Sequence, residues 1–334
     1  MRKFSKIKSA VIGLGFGKNH VETLYSNKYS ELISICDKKK NYKKISKKLK
    51  CNFYSRPEKI INDNKVKLVT IATYDNFHAK QIELCLKRNK AVFAEKPFCQ
   101  TTKEFIRLKK IIIKKKIKFS SNFVLRSHPK FKIIYKMLKK NFLGKIYYIE
   151  GEYNYGRIHK IISGWRGRIP FYSVTQGGGI HLIDLMIWYL KSKPIKAVAA
   201  GNKIVTKNSN FKYYDNVSAL INFKNGVIAK VTSNFSCMTP HDHTMKIYGS
   251  KGTIVLSNNK INYFNSRKKN SKGKIINFKM IKKYKSENLN SFVESIAKNK
   301  KFSNLSKNEI LNSMATCLAI DKSLKTKRWE KIKN

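Results

Sequence analysis

The 334-residue chain reads as an α/β protein, a doubly wound parallel sheet followed by an α+β domain with a large open, mostly antiparallel sheet. Three observations predict this. Short apolar runs alternate with helical patterns over the first third of the chain. A glycine-rich turn, Gly13-Leu-Gly15-Phe-Gly17, falls where the first run ends and the first helix begins. After about residue 125 the pattern changes to strands joined by tight turns.

The strand candidates of the first part are Ala10-Val-Ile-Gly, Leu32-Ile-Ser-Ile-Cys, Leu68-Val-Thr-Ile-Ala, Ala91-Val-Phe-Ala and Phe119-Ser-Ser-Asn-Phe-Val. Between the third and fourth, Ile82, Cys85 and Leu86 give the i, i+3, i+4 face of a crossover helix. The second part opens with a helix over 130–143, a strand over 146–155 and an irregular, glycine-bearing segment to 178. An apolar helix over 180–190 follows. Strands over 218–223 and 227–233 flank Asn225-Gly226, a dipeptide that favours hairpin turns. The segments 243–248 and 253–256 pair in the same style around Gly249 and Gly252, and helices over 288–300 and 309–325 close the chain. The expected division is a dinucleotide-binding domain over 1–124 and a substrate-binding and oligomerisation domain over 125–334.

Composition excludes several classes. A 42% hydrophobic content over this length supports a substantial core and excludes a disordered chain. The formal charge of +53 invites a nucleic-acid reading, but 62 lysines stand against 10 arginines, with 31 asparagines, the bias of an AT-rich coding sequence. Nucleic-acid readers lean on arginine for its bidentate fork, so no nucleic-acid partner is expected. The six cysteines form no CxxC pair and no metal-ligand spacing with histidine, so no metal is expected and a reducing, cytoplasmic location is. No uncharged run approaches the ~18 residues that a membrane span needs.

The glycine turn has a mechanical reading. Gly13 allows a tight turn, Gly15 lets backbone approach a pyrophosphate, and the following helix N-terminus offers free N–H groups and a favourable dipole. Asp37 ends the second strand, 22 residues past Gly15, where a carboxylate accepts hydrogen bonds from ribose hydroxyls. This is a Rossmann fingerprint, with Lys18 at its third glycine position. The acid favours NAD over NADP, because it repels a 2′-phosphate, while Lys38 and Lys39 beside it keep NADP as the alternative.

Glu95-Lys96-Pro97 ends the Ala91 run at the carboxyl edge of the sheet, where ligands of such folds bind. Proline keeps Lys96 out of helical geometry, so its ammonium can be aimed at one point. The apolar helix over 180–190 carries two ionisable residues, His181 and Asp184. His181 lies in its first turn, where the positive helix end favours the neutral imidazole, a state suited to taking a proton. Asp184 is assigned an orienting role. Residues 151–200 hold 4 of the 62 lysines but 3 of the 10 arginines, Arg157, Arg166 and Arg168. Such a cluster suits an anionic substrate group or, as the competing reading, a subunit interface. Arg126, His128, His241 and His243 are further candidates for the substrate site.

Together these segments resemble the Gfo/Idh/MocA oxidoreductases, the glucose-fructose oxidoreductase and inositol dehydrogenase group. The resemblance rests on Gly13 to Gly17 with His20, Ala72-Thr-Tyr-Asp-Asn-Phe-His78, Glu95-Lys96-Pro97, Gly179-Ile-His181-Leu-Ile-Asp184 and Tyr248-Gly-Ser-Lys-Gly-Thr253, in order along the chain. It implies reversible hydride transfer between a nicotinamide and a carbon of a sugar, cyclitol or nucleotide-sugar. It also implies a dimer or tetramer assembled through the open sheet. Lys96 and His181 are then the catalytic pair, and Phe16, Thr73, His78 and Glu95 join Gly13, Gly15, Gly17 and Asp37 around the cofactor. Many members of the group carry an aspartate four residues before the histidine, where this chain has Gly177; Thr175, Gln176 or water are the candidate substitutes. That departure keeps two alternatives open: non-redox use of a bound nicotinamide for elimination or bond cleavage, and a cofactor-sensing protein without turnover.

Overall fold

The computed structural model describes residues 5–302 and 304–334. They form two compact units, Met1–Val124 with Lys283–Ile310, and Leu125–Lys282 with Leu311–Asn334.

The first unit is built on six parallel strands, β1 (Ile7–Ile12), β2 (Ser30–Cys36), β3 (Asn52–Tyr54), β4 (Leu68–Ile71), β5 (Ala91–Ala94) and β6 (Phe119–Ser121). Their order is β3-β2-β1-β4-β5-β6. Every residue of β4 and β5 is buried, as expected when helices cover both faces of a parallel sheet. The order reverses between β1 and β4, and a ligand crevice opens outside the carboxyl ends of strands at such a switch point. The helix Thr102–Lys114 starts where Thr101 and Glu104 cap one another: the Glu104 N–H donates to Thr101 Oγ1 at 3.2 Å, and the Thr101 N–H donates to Glu104 Oε2 at 3.0 Å.

The helix Tyr284–Ala297, expected with the second domain, belongs to the first unit. Its Leu289, Phe292 and Val293 join the core formed by β1, β2, β5 and the Lys18–Ser26 helix, and Phe292 lies 5.6 Å from Phe93 of β5 between ring centroids. Burying such a side chain contributes about 2–3 kcal/mol. Apolar periodicity identifies the buried stripe of a helix but not which of two cores the stripe serves.

The second unit carries nine strands: β7 (Ile146–Asn154), β8 (Pro194–Asn202), β9 (Asn216–Phe223), β10 (Ile228–Asn234), β11 (Asp242–Gly249), β12 (Thr253–Ser257), β13 (Lys260–Phe264), β14 (Lys274–Ile276) and β15 (Glu330–Lys331). They are ordered β14-β13-β12-β11-β7-β10-β9-β8-β15, antiparallel except for the β7–β10 pair. The β9–β10 hairpin turns at Asn225-Gly226, where Gly226 takes φ +84°, a conformation that glycine adopts without strain. One face of β7 receives the helix Ile180–Leu190: a Cβ on Gly151 would lie 3.3 Å from Leu182 and 3.4 Å from Met186, so glycine lets helix and strand approach closely. The segment read as irregular before this helix holds two short helical turns, His159–Ile162 and Trp165–Gly167, and ends in one π-helical turn, Thr175–Gly179, continuous with the helix. No helix among the described residues is long and apolar enough to cross a membrane.

Candidate active site

In the first unit the glycine turn is shaped by its neighbours. Gly13 takes φ +90°, and a Cβ there would fall 2.5 Å from the Ala72 carbonyl carbon and oxygen; one on Gly17 would fall 1.9 Å from the Gly13 oxygen. A Cβ on Gly15 would meet nothing within 4 Å, so the chain is open on that side and its backbone is accessible. Asp37 holds the turn, Oδ2 accepting from the Leu14 N–H at 2.7 Å and Oδ1 from the Lys39 N–H at 2.9 Å. Each oxygen keeps lone-pair capacity for a ribose hydroxyl. The helix Lys18–Ser26 starts without a side-chain cap, and the positive end of such a helix favours an anion. Phe16 is exposed beside the turn. Lys38, the residue that argued for NADP, has its ammonium 5.3 Å from the Phe77 ring centroid. This cradle fits the pyrophosphate and ribose of a dinucleotide.

Glu95 and Lys96 follow β5. Glu95 Oε1 lies 3.2 Å from His20 Nε2 and accepts from Asn122 Nδ2 at 2.7 Å. Burial pushes this carboxyl up, but the hydrogen bond and charge of His20, the Asn122 amide and the Lys96 charge outweigh it and hold Glu95 below the ordinary carboxylate value. Glu95 is therefore a half-buried anion tied to the helix that follows the glycine turn. Buried His78 has its ring nitrogens 2.7 Å from the Pro97 carbonyl and 3.1 Å from the Thr73 carbonyl, joining the turn after β4 to the one after β5. Thr73 donates to Gln81 Oε1 at 2.8 Å. His78 and Glu95 thus support the carboxyl edge of the sheet from below.

In the second unit, His181 heads a helix on which every residue but Trp188 is buried. Asp184 and Arg126 satisfy one another, with Nε to Oδ2 at 2.7 Å and Nη2 to Oδ1 at 2.8 Å, both side chains almost fully buried. Ser313 lies 3.5 Å from Asp184 Oδ1. A bidentate pair of this kind locks the Ile180–Leu190 helix in place, since removing either partner leaves a buried charge. Sequence reading set Arg126 toward substrate and gave Asp184 an orienting role; in the structure the two pair with each other.

His181 stacks on Tyr153 of β7, with centroids 6.3 Å apart and planes at 17°. The same Tyr153 ring meets His241 at 5.2 Å, His243 at 4.9 Å and Phe235 at 5.7 Å. Burial, then the charges of His241, Lys130 and His128, hold His243 well below the ordinary imidazole value, so it is neutral at pH 7. Tyr155 lies beside Phe235 and His241, and the guanidinium carbons of Arg157 and Arg166 sit 5.5 and 5.9 Å from its ring centroid. Arg168 points elsewhere and donates to the Ser163 carbonyl at 2.7 Å. Of the three arginines, two converge.

Three residues here escaped the sequence reading: Tyr153, Tyr155 and Asp321. The first two share the buried face of β7 and its continuation, alternating with exposed Glu152 and half-buried Asn154, and a strict period-2 reading of 149–155 would have marked them. Asp321, on the helix Lys307–Thr326, accepts from Ser173 Oγ and Gln176 Nε2, both at 2.7 Å, and so ties that helix to the π-turn before His181. No local pattern marks it.

Two family matches cover most of the chain. The GFO/IDH/MocA oxidoreductase family, NAD-binding Rossmann fold, matches residues 7–123, and the GFO/IDH/MocA C-terminal domain matches residues 131–255. Inositol 2-dehydrogenase of Rhizobium meliloti is 22% identical over 261 residues, covering 75% of this chain and 76% of that protein. Scyllo-inositol dehydrogenase of Lactobacillus casei, solved with NAD(H) and scyllo-inositol, superposes with a TM-score of 0.80 at 17% identity over 98% of this chain and 99% of that one. An oxidoreductase of Agrobacterium radiobacter, solved with NAD+, L-tartaric acid and magnesium, gives a TM-score of 0.84 at 17% identity over 98% and 99% of the two chains.

Proposed function

The chain belongs to the GFO/IDH/MocA oxidoreductases, which carry an NAD-binding Rossmann fold, and from that premise we propose that it moves hydride between NAD(H) and a hydroxyl-bearing carbon of an anionic sugar, cyclitol or nucleotide-sugar. One observation carries the reading. Lys96 follows a half-buried anion that is itself bonded to the first helix of the dinucleotide cradle, so a cation is held at the carboxyl edge of β5 in the same unit as the cradle. A fixed positive charge lowers the cost of the alkoxide that develops as a hydroxyl loses its proton.

The residues divide the work as follows. Gly13, Gly15 and Gly17 would admit the pyrophosphate, Asp37 would receive the ribose hydroxyls, and Phe16 and Thr73 would line the cofactor site; the dinucleotide, when bound, would supply or accept the hydride. Lys96 stabilises the alkoxide and His181 takes the hydroxyl proton as general base. The Arg126–Asp184 pair keeps the His181 helix in register. Arg157 and Arg166, converging on Tyr155, support an anionic group on the substrate, because two guanidinium groups held near one ring offer several N–H donors to a carboxylate or phosphate. The exposed Leu220 and Ile228, on one face of β9 and β10, support self-association through the open sheet.

A screen of inositols, aldoses, uronic acids and nucleotide-sugars with NAD, followed by nicotinamide absorbance, tests the proposal. Turnover is expected to favour acidic members over their neutral counterparts. Tight NAD binding with no absorbance change on any of them would refute the hydride-transfer reading.

A further inference from the structure

Tyr153 sits at the centre of the ring cluster beside His181, and its own ring is tightly held. Phe235 and Tyr155 stack on it at 5.7 and 6.0 Å between centroids, with planes at 22° and 20°. His241 and His243 meet it at 5.2 and 4.9 Å in T-shaped contacts, and His181 lies at 6.3 Å with planes at 17°. Gly178 makes room for one edge of the ring, since a Cβ there would fall 2.5 Å from Tyr153 Cε1 and 2.6 Å from Cδ1. The residue is only 6% exposed. Its hydroxyl nevertheless makes no hydrogen bond among the described residues, and the oxygen keeps contact with solvent. A buried tyrosine ordinarily finds a partner for this group. Tyr189, on the helix that carries His181, does so by donating to the Phe131 carbonyl at 2.9 Å. A phenylalanine at 153 would fill the same ring volume with no polar atom to satisfy, so the use of the oxygen lies outside the fold.

We propose that Tyr153 is a substrate-binding residue whose hydroxyl donates to an anionic oxygen of the substrate beside His181. This deepens the hydride-transfer reading and rests on it. The direction of the hydrogen bond follows from the state of the phenol. Burial, helped by Tyr155, holds it above its ordinary value against the charges of Arg166 and Arg157, so it is protonated at neutral pH and can donate. The anionic character of the acceptor follows from the same surroundings. The guanidinium carbons of Arg157 and Arg166 lie 5.5 and 5.9 Å from the centroid of Tyr155, the ring stacked on Tyr153, and their charges reach the Tyr153 hydroxyl. Arg157 makes no ion pair among the described residues. A protonated phenol and two guanidinium groups are donors throughout, a set that fits a carboxylate. The substrate class named is an acidic sugar or a hydroxy acid, held by its carboxylate next to the base.

Tyr153→Phe keeps the ring and removes only the oxygen. Without ligand, wild type and variant should unfold at the same temperature, because the hydroxyl serves no contact in the fold. A Tm lower by about 2–4 °C in the variant, the scale of one lost hydrogen bond, would overturn the proposal by showing that the oxygen belongs to the fold. Calorimetric titration of the full chain saturated with NADH then reads the contact itself. L-tartrate, the acid solved with the Agrobacterium radiobacter oxidoreductase, serves as the anionic probe, and scyllo-inositol as the neutral one. L-tartrate should bind wild type more tightly than scyllo-inositol does, and Tyr153→Phe should weaken it about 10-fold or more with NADH affinity unchanged. Equal L-tartrate affinity in the two chains, or no L-tartrate binding by wild type, would overturn the proposal. The nicotinamide absorbance assay separates the two readings. L-tartrate held through Tyr153 by a chain that oxidises no member of the substrate screen keeps the contact and rejects hydride transfer. Turnover of an acidic substrate with the same KM in Tyr153→Phe as in wild type keeps hydride transfer and rejects the contact.

Discussion

Asp321→Asn should remove a pH-dependent destabilisation that the buried carboxyl imposes on the second unit. Burial drives the Asp321 carboxyl up from its ordinary 3.8 to about 6, against the opposing hydrogen bonds of Ser173 and Gln176 and the charge of Lys325. The folded state therefore binds this proton more tightly than the unfolded chain does. Its contribution is fully present below pH 3.8 and is lost as pH rises through about 6. A displacement of about two pH units at 1.36 kcal/mol each amounts to about 3 kcal/mol between pH 4 and 7. That figure is an upper bound, because the side chain is only partly covered by surface area although closely surrounded by protein, and residual water lowers the cost of its charge. Thermal unfolding of wild type and Asp321→Asn across pH 4–8 checks it. Relative to wild type, the variant should gain stability with rising pH, by up to about 6–12 °C in Tm if unit two melts as a unit of 150–250 residues. A difference that stays flat over this range, or a variant that loses ground as pH rises, would show that the two hydrogen bonds outweigh burial.

Three further outcomes follow from the site. Lys96→Met should keep the fold and the NAD affinity measured by calorimetry while lowering turnover at least about 100-fold, the scale of losing a charge partner to a developing oxyanion; near-normal turnover removes Lys96 from the chemistry. Calorimetric titration should find NAD(H) bound about 10-fold or more tighter than NADP(H), since Asp37 is fixed against the glycine turn where a 2′-phosphate would meet it; tighter NADP(H) binding would mean that Lys38 leaves the Phe77 ring to take the phosphate. Arg157→Gln and Arg166→Gln should each raise KM about 10-fold or more for an acidic substrate and spare its neutral analogue, while Arg168→Gln changes neither. If all three leave KM alone and dissociate an oligomer instead, the arginines serve an interface.

What the sequence made legible depended on how local each signal was. Five of the six parallel strands and the glycine turn announce themselves within windows of four to eight residues, because burial on both faces favours apolar runs and the turn demands glycine. Asn225-Gly226 located a hairpin for the same reason. By contrast, the stripe Leu289, Phe292, Val293 identified a helix but not its destination, since Phe93, its partner, lies nearly two hundred residues earlier. Strands β3, β8, β13, β14 and β15 went unmarked: β3, β14 and β15 are three residues or shorter, and in β8 and β13 lysine and asparagine interrupt the apolar residues. The Arg126–Asp184 pair shows the same limit at the site: Asp184 stood out as an ionisable residue on an apolar helix and Arg126 as a substrate-site candidate, but only the fold reveals that the two pair with each other.

Gly177-Gly178-Gly179 is the place where local reading misleads most, because a missing side chain reads as a missing function. Each of the three glycines faces a group that takes its space. A Cβ on Gly177 would strike the Tyr172 hydroxyl at 2.0 Å, one on Gly178 the Tyr153 ring at 2.5 Å, and one on Gly179 the Ser233 hydroxyl at 2.2 Å. The run of glycines therefore lets one turn of backbone lie directly against β7, β10 and the Tyr172 ring, a closeness that alanine at any of the three positions forbids. Unfavourable as it is for a helix, at ~1 kcal/mol per glycine relative to alanine, the run gives His181 a fixed seat, with Tyr153 stacked on its ring and the Tyr172 hydroxyl one turn before it. A carboxylate placed at 177 would have to displace Tyr172 before it could reach the imidazole. The glycine and the tyrosine are thus a matched pair, the phenol occupying the space that a side chain at 177 would take.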